Sequence, residues 1–421
     1  MAKFIFILLF ASVFVTRNDV VIYSADEEMF RLGSLIKEAV EKNPGVIAAK
    51  NKFEAKKQRV PQSRALADPM VGVGFENMPD NNFSIGSAPM EIYSVSQEIP
   101  FPTKLFSRSK MAKREAGVAE QELREEILSV GFDVARVYYE LLYAHNAIEI
   151  NREAKGLWES SIDAVFSRYR AARAAQGELL KSEIELAKVE NELFLLENQK
   201  NELSSKLNIL LNRHPDTPVG KPLEKPPSAF DASLKSLYEM AKAHRPELKA
   251  AKLKIEKTEI DHSMAVQEYL PDFEMKVSRR QMRNDATTYD TMFGLSLPLW
   301  FWERQAPGVR EKKKELEGSL AEYNSMENRV LYDVSRGYSE VVALKRSIGL
   351  FSTVIIPQAE QSLEGSQAGY EAGKEDFLSF LDSQRMLLDS KLEYYRLLTR
   401  YEIALADLYF CSVGSGIDYE R

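Results

Sequence analysis

The sequence predicts a mainly α-helical protein that also carries a membrane β-barrel portion, built as two copies of one helix, strand hairpin, long helix, helix unit. Three observations lead there. No proline occurs between Pro102 and Pro215, an uninterrupted helical stretch far longer than a globular domain uses. Phrases of the first half recur in the second at an almost constant offset, the mark of a duplication. Each half also contains one pair of period-two runs placed between its helical segments.

The chain of 421 residues is 44% hydrophobic and 28% charged, enough apolar material for real cores, and its net charge of −7 argues against a nucleic-acid surface. Lys3, the apolar run Phe4 to Val15 and the small residues Ser24 and Ala25 read as a signal peptide over residues 1–25, with cleavage after Ala25. Cys411 is the single cysteine, so no disulfide framework is expected and no cysteine near the signal could carry a lipid. After the signal no apolar run approaches the ~20 residues of a spanning helix, so any membrane crossing falls to strands.

The first repeat is expected over residues 26–214. It opens with a helical segment from Leu35 to Leu66, then Val71, Val73 and Phe75 alternate with Gly72, Gly74 and Glu76, giving a strand near 69–77. A polar loop with Pro79, Asp80, Asn81, Asn82 and Gly86 leads to a second strand near 90–99. If Thr103 to Tyr169 forms one helix, at ~1.5 Å per residue it reaches roughly 100 Å. The return helix shows a heptad seam of Leu186, Val189, Leu193, Leu196, Leu203, Leu207 and Leu210, broken only at Lys200.

Pro215, Pro218, Pro222, Pro226 and Pro227 mark a linker over residues 215–230, where no helix can continue. The second repeat, 231–412, echoes the first: Asn43-Pro44, Ala48-Ala49-Lys50 and Asp68-Pro69 return as Arg245-Pro246, Ala250-Ala251-Lys252 and Leu270-Pro271, and Phe132 to Arg136 as Tyr332 to Arg336. Its helical segment Leu234 to Tyr269 precedes strands near 272–280 and 289–299; residues 413–421 form a tail. Alternation suits a half-buried soluble sheet as well as a barrel. Trp300, Phe301 and Trp302 directly after the last strand, where an aromatic girdle would sit, favour the barrel. Pro357 falls where the first repeat has Gly156, so a kink or a change of packing partner is expected there.

Chemistry finds little support. His145, His214, His244 and His262 are scattered, no phosphate loop or nucleophile elbow occurs, and acid pairs such as Glu125-Glu126 read as a solvated face. The methionines near the hairpins (Met70, Met78, Met90, Met275, Met282, Met292) suit soft ions but read more simply as apolar filler. No catalytic residue, metal site or cofactor is expected.

The order of elements and the duplication resemble the TolC-like outer membrane factor family. Ala67-Asp68-Pro69, the phrase Gln97 to Lys104, Tyr370-Glu371-Ala372-Gly373-Lys374 and Leu381 to Arg385 are similar to its heavy-metal efflux branch. The resemblance implies a homotrimer with one shared 12-stranded β-barrel in outer-membrane lipid and a trimeric α-barrel tunnel across the periplasm. It implies a passive exit duct for heavy-metal ions or small toxic compounds, partnered by a periplasmic adaptor and an inner-membrane RND-type transporter. Adaptor docking would fall on the two tip turns, Ala171, Ala172 and Arg173 and Ala372, Gly373 and Lys374, although Ala172 replaces the family glycine. Relatives close their pore with an arginine paired to an acid; here those positions are Glu375 and Glu178, which repel, leaving a hydrogen bond from Tyr370 to Glu178 helped by Lys374. Threefold symmetry would make Asp382 a cation-selective ring, the plainer reading being an exposed aspartate paired with Lys181. A type I protein-secretion channel is the nearest alternative. A periplasmic adaptor would need a glycine-rich β domain that the sequence lacks, and a coiled-coil spacer would need no hairpins.

Overall fold

The computed structural model describes residues 30–78, 85, 88–283 and 286–413. The expected signal peptide, most of the first hairpin's polar loop and nearly all of the C-terminal tail lie outside the described residues. Two short helices, α1 (Leu32–Lys42) and α2 (Pro44–Gln62), lead into strands β1 (Met70–Glu76) and β2 (Met90–Ile99). Helix α3 (Pro102–Arg170) then runs unbroken for 69 residues and α4 (Gln176–Leu210) returns. The second repeat follows the same plan through α5 (Leu234–His244), α6 (Pro246–Gln267), β3 (Asp272–Met282), β4 (Thr288–Ser296), α7 (Gln305–Leu350), α8 (Ile356–Glu371) and α9 (Phe377–Val413).

Each opening segment, expected as one helix, is broken at the repeated X-Pro pair. A proline clashes with a helical residue before it, and Asn43 (ψ 127°) and Arg245 (ψ 123°) are accordingly extended. Pro357 acts differently. The five residues Phe351–Ile355 widen into a π-helical turn just before it, and the Ile356 amide bonds the Phe351 carbonyl, so the chain absorbs the missing amide without stopping. Strand β4 ends at Ser296, three residues short of the expected limit, and Trp300 to Trp302 belong to the turn that enters α7.

Two cores repeat the duplication in three dimensions. Leu35, Ala39, Val130, Val134 and Leu141 are buried in one, and their counterparts Leu237, Ala241, Val330, Val334 and Val341 in the other. The linker is a fixed strap between them: Tyr138 Oη donates to the Leu223 carbonyl at 3.0 Å, Tyr401 Oη to the Ser228 carbonyl at 2.6 Å, and the Glu402 carboxylate accepts from Ser228 N and Oγ, both at 2.8 Å. The heptad seam of α4 packs as its spacing requires, with Val189, Leu196, Leu203 and Leu207 buried. Among the described residues, no helix is long and apolar enough to cross a membrane.

Candidate functional site: a strand sheet and a helical tip at opposite ends

The four strands form one antiparallel sheet in the order β1-β2-β3-β4. Residues opposite each other on neighbouring strands share a face. The ladders Val71↔Val95, Val95↔Val277 and Val277↔Thr291, with Ile99↔Phe273↔Leu295 and Met275↔Phe293, therefore put most of the large apolar residues on one side, Met70, Met90, Ile92, Met282 and Met292 falling on the other. The other side carries Gly72, Ser94, Ser278 and Asp290 in one row and Ser96, Lys276 and Glu274 nearby. Phe293 is 77% exposed and Val71 74%, so the apolar face is bare on the outer strands, while at its base Phe273 stacks on Phe101. Both outer strands, β1 and β4, keep an unpaired edge.

Below the sheet the repeats are joined by charge. The Lys104 side chain is 4% exposed, and its ammonium lies 2.9 Å from Asp272 and 3.6 Å from Glu268; Asp272 also accepts the Phe101 amide. Trp300, Phe301 and Trp302 sit at this level, exposed and touching edge to face, with Phe301 also against Tyr269.

The tip turns lie at the far ends of the long helices. In each, the amide five residues on bonds back to the last helical turn, Arg173 N to the Arg168 carbonyl and Lys374 N to the Gly369 carbonyl, both at 2.8 Å. This closure needs a left-handed residue. Gly373 supplies it at φ +71°, and Ala172 adopts the same conformation at φ +56°, at a cost of about 1 kcal/mol for its Cβ. Ala171, Arg173, Ala372 and Lys374 flank these two residues and are exposed.

Tyr370 is buried just above the second turn. Its ring stacks on Phe380 (5.6 Å, 6°), while the Arg168 guanidinium lies 4.3 Å from the ring centroid and donates to the Tyr370 carbonyl. Its hydroxyl donates to Glu178 Oε2 at 2.9 Å, and Glu178 Oε1 caps α4 by accepting from Ala175 N. Burial, then the neighbouring Glu178 carboxylate, push the Tyr370 phenol up to about 12. Glu375 lies over Gly369, where any Cβ would meet its Cγ at 2.8 Å. Thus Glu178 and Tyr370 meet, and the cation against Tyr370 is Arg168 of the first repeat in place of the expected Lys374. The sequence marks Arg168 only as an arginine standing where the second repeat has Gly369.

Asp382 is exposed on α9, its carboxylate 3.7 Å from Arg385, so its ion partner is that residue and not Lys181. Arg385 makes its stronger bonds across the repeats, to both oxygens of Glu185 on α4, a carboxylate only 10% exposed. Those bonds, with Lys188 helping, hold the Glu185 carboxyl below its ordinary value despite its burial. Among the described residues no cluster of three histidine, cysteine or acidic side chains is placed to hold a metal ion.

The family described as outer membrane efflux protein matches residues 35–213 and 237–412, one stretch per repeat. The chain belongs to that family. Its place is therefore the outer membrane, as an exit duct of an efflux system. The fold is similar to that of the outer-membrane channel OprN (TM-score 0.80, 15% identity, covering 91% of this chain and 90% of that one). CusC is equally similar in fold (TM-score 0.80, 14% identity, covering 91% and 92%). In sequence, 128 residues are 21% identical to the cobalt-zinc-cadmium resistance protein CzcC of Cupriavidus metallidurans, and the match spans 30% of each protein.

Proposed function

We propose that three copies of this chain assemble into a passive conduit, a shared twelve-stranded barrel above a helical tunnel, that performs no chemistry on what it carries. The observation that carries this reading is the sheet: its apolar face has exposed residues on all four strands and both edges are unpaired. Open edges are untenable in lipid and four strands are too few to close, whereas three such sheets close without an edge. Apolar residues left exposed along the long helices, Ile184, Phe194 and Leu195 on α4 and Tyr332 on α7, give neighbouring subunits a surface to cover. Trp300, Phe301 and Trp302 then lie at the periplasmic boundary of the lipid.

In this reading the turns at Ala171 to Arg173 and Ala372 to Lys374 receive a periplasmic adaptor, and an RND-type inner-membrane transporter supplies the cargo. Heavy-metal ions are the favoured cargo class, supported by the partial match to CzcC. The closed tip is held where Tyr370 is clasped by Arg168, Phe380 and Glu178, and Asp382, repeated threefold, biases the pore toward cations.

Reconstitution tests this. The purified protein should run as a heat-modifiable trimer and give discrete cation-selective conductance in planar bilayers, with selectivity reduced in Asp382→Ala. A monomer that conducts nothing would end the duct reading; normal selectivity in Asp382→Ala would remove the ring alone.

A further inference from the structure

The duplication makes the sheet predict its own missing seam. Inside the chain, β2 of the first repeat pairs with β3 of the second through Ile99↔Phe273, Gln97↔Met275 and Val95↔Val277. If subunits join as the repeats do, the same contact recurs between β4, the counterpart of β2, and β1, the counterpart of β3, of the next subunit. Ile99-Pro100 corresponds to Leu297-Pro298, and Pro271-Asp272-Phe273 to Pro69-Met70-Val71.

Closing three chains into one barrel joins β4 to β1 of the next subunit, and we propose the register of that seam: β4, continued by Leu297, runs antiparallel to β1 with Leu297 opposite Val71, Leu295 opposite Val73 and Phe293 opposite Phe75. The inference rests on the reading that three chains close one barrel. All six side chains fall on the apolar face, while the polar face brings Ser296 opposite Gly72 and Gly294 opposite Gly74, where nothing is bulky enough to clash.

The strand tilt agrees. The observed ladders lead from Met70 to Ser96, Lys276 and Met292. In the proposed register Met292 lies opposite Glu76, so one subunit climbs from position 70 to position 76 of β1. Three subunits climb ~59 Å at ~3.3 Å per residue, around twelve strands that span ~58 Å, a tilt of roughly 46°, at the upper edge of what barrels use. Matching the hairpins two residues further along sets Leu295 opposite Phe75 and needs a tilt of roughly 54°, which the range excludes; two residues the other way, with Leu295 opposite Val71, the tilt is roughly 35°, so between that register and the proposed one the duplication decides.

The two seams would differ at their base. The internal one is pinned by Lys104 on Asp272 and Glu268. The counterparts of those two acids are Met70 and Leu66, both exposed and apolar, so the seam between subunits is sealed by apolar rows and backbone hydrogen bonds without that ionic pin.

Cysteine pairs in a Cys411→Ser background, oxidised in outer-membrane fractions, test the register. Opposite residues have Cβ atoms about 5 Å apart and diagonal ones about 7 to 8 Å. β1 and β4 lie on opposite edges of one sheet, so a disulfide must join subunits. Leu295→Cys with Val73→Cys should give covalent dimers and trimers at roughly fivefold or greater yield over Leu295→Cys with either Phe75→Cys or Val71→Cys, and Gly294→Cys with Gly74→Cys should do the same from the polar face. Preference for the Phe75 or the Val71 pair overturns the register and leaves the barrel standing. No cross-link in an intact trimer overturns the β4 to β1 seam. No cross-link in a protein that migrates as a monomer on native gels overturns the barrel reading together with it.

Discussion

The two long descending helices are counterparts, yet they meet the same demand differently. Helix α3 passes through Gly156 without a break, and nothing lies within 4 Å of where a Cβ would be. The second repeat has Pro357 there and inserts a π-turn ahead of it. At the tips the difference is reversed, since the first repeat strains Ala172 into the left-handed region that Gly373 enters freely. The same architecture thus tolerates a proline in one repeat and a misplaced Cβ in the other, because long-range packing over-determines a conformation that local preference resists. The repeats are equivalent in backbone and unequal in chemistry, with the first lending Arg168 and Glu178 to clasp Tyr370 of the second.

The harshest test of that comparison is to exchange the helix breakers. Gly156→Pro should lower stability by about 3 kcal/mol unless α3 also opens a π-turn, whereas Pro357→Ala should change it by less than about 1 kcal/mol. Melting in detergent measures both; equal effects would show that the π-turn gives no special accommodation.

Next in size is the sheet. Phe293→Arg puts a cation on the apolar face at about 2 to 4 kcal/mol near mid-bilayer, while Met292→Arg, on the opposite face, should be nearly neutral. Trimer yield from outer-membrane fractions reads the contrast, and equal yields would mean the faces are misassigned.

At the tips, Ala172→Gly should stabilise and Gly373→Ala destabilise by about 1 kcal/mol each. Hydrogen exchange at the two turns should move in opposite directions. A common direction would show that the turns relax rather than hold their left-handed residue.

The smallest effect is a pH dependence of the bond between the repeats. Because the folded state depresses the Glu185 carboxyl below 4.5, its contribution is complete above that value and fades as pH falls through the lower folded value. Melting profiles between pH 3 and 7 should therefore show an acid limb that Glu185→Gln flattens. An unchanged limb would locate the acid sensitivity elsewhere.

Sequence alone determined the duplication, the long helices, the two hairpins and the X-Pro positions, because periodicity, proline and repetition are local properties written along the chain. It also named Tyr370 and Glu178, through family resemblance. It did not place the helix breaks at Asn43 and Arg245, shorten β4 to Ser296, or reveal that Lys104 is buried on Asp272. Nor did it show that Glu185 and Arg385 bond across the repeats. Each of these depends on which distant residues arrive opposite one another. Arg168 shows the reason most plainly: on its own helix it is one more basic residue in the last turn, and only the docking of the second repeat's tip beneath it turns that charge toward the Tyr370 ring.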